Sequence, residues 1–376
     1  MSDYLDTLEH VISDVVAPAA GDVDQQGTFP RAAVTALGES GILGLVSGAE
    51  VGGGGQGMRA AAEVMERLAG ACGSTAMVVL MHYSAVAVIE THGPKEIREA
   101  VAAGRHLSTL AFSEAGSRSH FWAPVSTARA DGDEIVLDAR KSWVTSAGEV
   151  DSYVWSSLPV GGTGPMTLWL VPGRAPGLSQ PGGFDGLGLR GNGSTPVSAD
   201  GVRISVDAML GPDGAGLDVA LGAALPWFLV LSGAFSLGLM EAVVAEAGAH
   251  LGATRLEHLG QTLVQQPLVR ADLARMRLIT DGLRALLTDT IAALETGEPH
   301  GQLRVLEIKA VAAEAAIDVT DLAMKVCGGA AFRKELGIER RFRDARAARV
   351  MAPTTDALLD FVGRAIAGLP LLEPVA

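Results

Sequence analysis

The sequence predicts an α+β protein in three parts: a helical N-terminal domain over 1–106, a small antiparallel β domain over 107–212 and an antiparallel helical bundle over 213–376. Three observations carry this. Apolar residues recur at helical spacing through the first ~105 residues. The middle stretch instead holds short segments rich in β-branched and aromatic residues, bounded by Gly, Pro or Asp. Beyond about Gly214 the helical spacing returns in segments long enough for a bundle. There is no alternation of strand and helix, so a Rossmann core is not expected.

Taken in order, RAAVTALGESG from Arg31 reads as a short helix with glycine stops, followed by the apolar ILGLV from Ile42. The glycine run from Gly52 to Gly57 comes next. A phosphate-cradling loop needs a preceding strand and a helix start with Lys-Ser/Thr, so here a tight turn between helices is expected. A helix is predicted from Met58 to about Ala71. Ser74 or Thr75 is a candidate cap for the next helix, which runs through Met81 and His82 to about Glu90. Lys95 to Ala103 gives one more. Glu134–Asp138, Ser142–Ser146, Ser152–Ser156 and Met166–Val171 predict strands, carrying Trp143, Trp155 and Trp169. Long helices are predicted from about Pro226 to Leu251 and from Pro267 to Thr296. In a third, Ile308, Val311, Ala315, Leu322 and Val326 keep helical spacing.

Composition narrows the function. The 376 residues, 48% hydrophobic and 5% aromatic, describe a globular chain with sizeable cores. A net charge of −14 disfavours a nucleic-acid surface, which needs clustered Lys and Arg. Cys72 and Cys327 form no disulfide framework or metal pattern. Val219 to Met240 holds no charged side chain, but Pro226 and several small residues interrupt it, so a buried bundle helix is expected rather than a membrane span. The acidic, amphipathic start MSDYLDTLEHV is not a signal peptide, and a cytoplasmic location is the expectation.

Five segments recur in a recognisable order. GILGLV from Gly41 and GGGGQGM from Gly52 together make the first, and ERLAGACGSTA from Glu66 the second. AFSEAGSRS from Ala111 and KSWVTSAGEVD from Lys141 follow. The last is Cys327 to Asp356, with Gly328-Gly329, then Arg343-Asp344-Ala345, then the turn MAPTT from Met351. Together they resemble the acyl-CoA dehydrogenase family, from about Phe29 to Phe361. The resemblance implies that family's three-domain fold and a flavin cofactor, FAD.

The family's motifs place Ser113, Trp143 and Thr145 at the flavin edge, where hydroxyls meet the pyrimidine ring and an indole packs beside the isoalloxazine, and Ser119 at a position that helps bind the flavin or the ligand's phosphate arm. Gly328 and Gly329 match the glycines beside the nucleotide half, Thr354 matches the threonine of the turn, and Arg255 stands near the family's adenosine-binding arginine, displaced by one residue. Leu259, Pro267 and Lys325 depart from the family pattern on that side, and His120 stands where the family has Asp. The count from Asp344 brings Ala352 to the position of the catalytic Glu. An alanine accepts no proton, so the candidates for a relocated base are His82, mid-helix among apolar residues, and Asp356, one turn beyond Ala352.

The resemblance implies α,β-dehydrogenation of an acyl-CoA or other acyl thioester, with hydride transfer to flavin N5 and an electron-transfer flavoprotein or oxygen as acceptor. A flavin monooxygenase on the same fold, or a non-catalytic partner of an active homologue, are the alternatives. A homo-oligomer, dimer or tetramer, is expected because the family shares its cofactor site between chains.

Overall fold

The computed structural model describes residues 3–117 and 120–372. Six helices build the N-terminal domain: α1 (Asp3–Val11), α2 (Ala17–Gln26), α3 (Arg31–Glu39), α4 (Met58–Ala71), α5 (Gly73–His92) and α6 (Lys95–Ala102). The glycine run is a tight turn: Gly52 and Gly55 take positive φ, and a Cβ on Gly53 would stand 2.3 Å from the Ser47 carbonyl oxygen. The cap expected on α5 is absent. Cys72 is the N-cap, and the Ser74 hydroxyl instead accepts from the Gly191 N–H at 3.0 Å, tying the helix to the β domain.

The β domain comprises β1 (Ser108–Ala111), β2 (Thr127–Asp131), β3 (Glu134–Val144), β4 (Ser152–Ser157), β5 (Thr167–Pro172), β6 (Leu178–Ser179) and β7 (Thr195–Ser205). One sheet runs β2-β3-β7-β6 and is antiparallel; the other runs β1-β4-β5. In the second sheet β1 and β4 pair in parallel, a departure from the all-antiparallel expectation. The β2–β3 excursion lies between them and supplies the long crossover a parallel pair needs. Two segments expected as separate strands, Glu134–Asp138 and Ser142–Ser146, join as β3. Its pairing with β7 shifts register after Leu137 and again after Lys141, as bulges do.

The chain returns to helix in α7 (Gly216–Val219) and α8 (Leu225–Ala253), turns through the short hairpin β8 (Arg255–Leu256) and β9 (Gln261–Thr262), then forms α9 (Pro267–Thr296), α10 (Gly301–Cys327), α11 (Ile338–Ala345), α12 (Ala347–Val350) and α13 (Thr355–Ala367). α10 packs on α8, α9, α11 and α13, while α8 also packs on α4 and α5. The close crossing of α8 on α4 requires Gly238, whose added Cβ would stand 2.1 Å from the Glu66 carbonyl oxygen. The apolar stretch of α8 has a companion: Gly73–His92 and Gly216–Ala253 are both long and apolar enough to cross a membrane, and their most apolar windows are 83% and 78% buried within the protein. Apolar all round, they form the centre of the fold.

The Arg343-Asp344 pair sits where the three domains meet. Arg343 donates to Asp24 on α2 and to the Leu187 carbonyl, and Asp344 accepts from the Leu189 N–H at 2.6 Å. Burial pushes the Asp344 carboxyl up to about 6.

Candidate active site

A cavity open to solvent, with roughly 520 Å³ of empty space, lies where α5, the first sheet, the start of α8 and the turn before α13 converge. Its polar wall is Ser113, Ser142 and Trp143. Met81, Phe112, Phe121 and Phe228 make an apolar floor, and Ala220, Ala224 and Ala352 leave room at the sides. Among the described residues, no ionisable side chain lines it.

The polar wall is built by pairing. Ser142 N–H donates to the Ser113 carbonyl and Ala115 N–H to the Arg140 carbonyl, each at 3.0 Å, laying the 113–115 segment along β3. The bulge after Lys141 then gives Trp143 a φ of 55°, in the left-handed region. For a bulky L-residue that conformation costs about 1–2 kcal/mol. The flanking pairs Lys141–Val197 and Val144–Thr195 hold it in place. The result is an indole 72% exposed, displayed at the cavity rather than packed into the sheet.

Beneath this wall lies a fully buried ion pair, Glu114–Lys141. Glu114 also accepts from the N–H groups of Val125 and Ser126, at 2.7 and 2.8 Å, and from the Ser126 hydroxyl. Lys141 donates further to the Ser156 carbonyl at 2.7 Å and to the Ser156 hydroxyl at 2.9 Å. Burial alone raises the Glu114 carboxyl, but the Lys141 ammonium and the hydrogen bonds outweigh it and hold the group below its ordinary range. Every acceptor site faces a donor, which removes Glu114 as a base.

The two expected bases lie off the cavity. His82 is fully buried; its Nδ1 accepts from the Ser108 N–H and its Nε2 lies 3.2 Å from the Leu43 carbonyl. The backbone N–H occupies the Nδ1 lone pair, so Nε2 carries the proton and the ring has no free acceptor. Burial pushes its pKa down to about 4. One residue along a helix is a turn of about a hundred degrees, and it is Met81 that faces the cavity. Asp356 is exposed in the first turn of α13, the helix capped by Thr354, whose hydroxyl accepts from the Ala357 N–H at 3.4 Å.

The expected cofactor residues divide. Ser113 and Trp143 line the cavity, and Thr354 adjoins its lining residue Pro353. Thr145 is buried behind the wall, 3.0 Å from the Ser194 hydroxyl. Arg255, Gly328 and Gly329 lie exposed away from the cavity, and Gly328 ends α10 with a φ of 56°. Ser119 lies outside the described residues. His120 is exposed and does not line the cavity.

The turn carrying Ala352 has its own buried support. Lys309, on α10 and 1% exposed, donates to the carbonyls of Ala348, Met351 and Pro353 at 2.9, 3.0 and 2.9 Å. Burial pushes it down to about 7, and no carboxylate pairs with it among the described residues. Neither Lys309 nor Ser142 was singled out from the sequence. A lysine in register with Val305, Ala312 and Ala316 on a buried stripe, and a serine directly before Trp143, are the signals that point to them.

Family models for acyl-CoA dehydrogenase match in succession: the N-terminal domain over residues 2–104, the middle domain over 109–202 and the C-terminal domain over 214–367. The chain is 30% identical over 352 residues to the mitochondrial short-chain specific acyl-CoA dehydrogenase of Bos taurus, covering 90% of this chain and 83% of that one. It is 26% identical over 366 residues to the probable acyl-CoA dehydrogenase fadE25 of Mycobacterium leprae, covering 96% and 93%. The butyryl-CoA dehydrogenase structure from Megasphaera elsdenii superposes with a TM-score of 0.90 at 21% identity, over 98% of this chain and 99% of that one. With three domains matched in order around a cavity placed where they meet, the chain belongs to the acyl-CoA dehydrogenase family of oxidoreductases.

Proposed function

We propose that the chain binds FAD along the Ser113–Ser142–Trp143 wall and holds an acyl thioester in the apolar cavity, but supplies no proton acceptor of its own. The observation that carries this is the absence of any ionisable side chain on the cavity wall among the described residues, with Ala352 and Pro353 at the turn. An exposed indole plane beside two serines suits a planar heteroaromatic with a polar edge, so the residues present fit a flavin. When bound, the flavin takes up the two electrons of the oxidation. The chain's part is to orient the ring by the Ser113 and Ser142 hydroxyls, to seat the acyl chain against Phe112, Phe121 and Phe228, and to exclude water. Loss of the α-proton needs a base within hydrogen-bond reach, and neither His82 nor Asp356 lies on the cavity.

The relatives' names point to an acyl-CoA, short-chain ones first. On the family resemblance alone, we propose an electron-transfer flavoprotein or oxygen as final acceptor and a cytoplasmic dimer or tetramer. A second reading, a partner subunit of a base-bearing homologue, is favoured by the exposure of Arg255, Gly328 and Gly329, which a second chain can reach.

Absorbance spectra taken before and after anaerobic addition of an acyl-CoA panel test this. FAD-reconstituted protein should be yellow, should shift its spectrum on binding thioester and should not bleach. Bleaching of the wild-type chain alone would overturn the base-free reading. Failure to take up FAD would overturn the flavin site.

A further inference from the structure

Lys309 is the least explained group near the cavity. An ammonium buried without a counter-ion is costly, and its cost is offset here by backbone dipoles and, more weakly, by the face of the Phe228 ring 5.9 Å away. All three N–H bonds are used, and all three go to one short segment, the carbonyls of Ala348, Met351 and Pro353. Two of those carbonyls flank residue 352. Both point back towards α10, while the residue between them lines the cavity on the opposite side. The turn is thereby fixed to a rigid 27-residue helix that packs on α8, α9 and α13.

We propose that Lys309 is a positioning residue, which pins the Met351–Pro353 turn from behind and presents whatever side chain stands at 352 to the cavity. The support of a catalytic turn is intact although its reactive group is gone. A carboxylate placed at 352 by the single change Ala352→Glu then stands where it can act on a bound acyl chain. This last step rests on the acyl-site reading above; the clamp itself does not.

Two measurements separate the clamp from that reading. The first is amide hydrogen exchange on the purified chain as isolated, which needs no flavin and no turnover. Lys309→Met should raise exchange through Met351–Ala357 by about tenfold or more, with α5 and α8 keeping wild-type protection. Unchanged exchange at the turn, or an equal rise everywhere, overturns the clamp. If Lys309→Met does not fold, Lys309→Gln, which keeps two N–H donors, is read in the same way. The second is anaerobic flavin bleaching by a short-chain acyl-CoA. Ala352→Glu should bleach, and the double variant with Lys309→Met should bleach about a hundredfold more slowly at unchanged thioester affinity, because small misplacements of a reacting group cost that much. Equal rates overturn the positioning role. If Ala352→Glu binds thioester and never bleaches, the acyl-site reading fails, and the exchange result still decides the clamp.

Discussion

On the sheet side of the cavity, Lys141 lies under the wall of Ser113, Ser142 and Trp143 and is neutralised by Glu114; on the turn side, Lys309 lies under Ala352 and Pro353 and hydrogen-bonds to carbonyls with no carboxylate partner among the described residues. Both lysines are 1% exposed. The sheet side still presents hydroxyls and an aromatic plane to the cavity. The turn side presents two apolar residues. Support and polar chemistry are therefore separable in this fold: the backbone scaffold is built on both sides, while polar side chains face the cavity from only one.

The strongest way to break the comparison is to remove one lysine at a time. Lys141→Met leaves the Glu114 carboxylate buried and unpaired, and an orphaned buried charge costs about 3–5 kcal/mol. Urea unfolding should register that loss, and adding Glu114→Leu should recover most of it, since a buried pair replaced as a whole is close to neutral. A small loss in the single variant would show that water reaches the pair.

A third buried group, His82, sharpens the contrast because it is held neutral. Its folded pKa, about 4, lies below the ordinary 6.5, so the unfolded chain binds the additional proton between those values. Its contribution is full above pH 6.5 and falls as the pH drops through that window, by about 3 kcal/mol at the bottom. Asp344 acts in the opposite sense: with its carboxyl raised to about 6, it favours the fold as pH falls. The quantity to measure is the difference between wild type and His82→Gln across pH 7 to 4, where the variant should lack the acid loss. Parallel stability curves would mean that His82 takes up its proton at the same pH in the fold as in the unfolded chain.

How much of this was legible depends on what decides each feature. The long helices follow from apolar periodicity, and α9 begins and ends at the expected Pro267 and Thr296. The cap of α5 did not, because Ser74 is engaged by Gly191 from another domain. His82 was misread by the angular step of a single residue, which sequence spacing gives only when the neighbours of each face are known. Asp356 was misread because the first turn of α13 leaves it exposed, off the cavity that Ala352 lines. Arg255, Gly328 and Gly329 lie on an outer surface away from the cavity, a placement that sequence motifs do not encode. Lys309 was readable in principle as a charge on an apolar stripe, but its three acceptors come from a segment forty residues on, which only the fold brings near.

The smallest expected effect on stability falls on Trp143, and it bears on the sheet side most directly. Its side chain is 72% exposed, so little packing is lost by removing it. Its φ of 55° is strained for tryptophan and open to glycine. In Trp143→Gly, relief of about 1–2 kcal/mol of backbone strain is set against about 1 kcal/mol of added chain entropy, so stability should move little. Flavin affinity should fall about tenfold, the weight of one aromatic stacking partner, as read by FAD titration against the absorbance of the bound form. Unchanged stability with weakened binding identifies the strained bulge as a platform held for its ligand. Unchanged binding would remove the indole from the flavin site and leave Ser113 and Ser142 as its only polar wall.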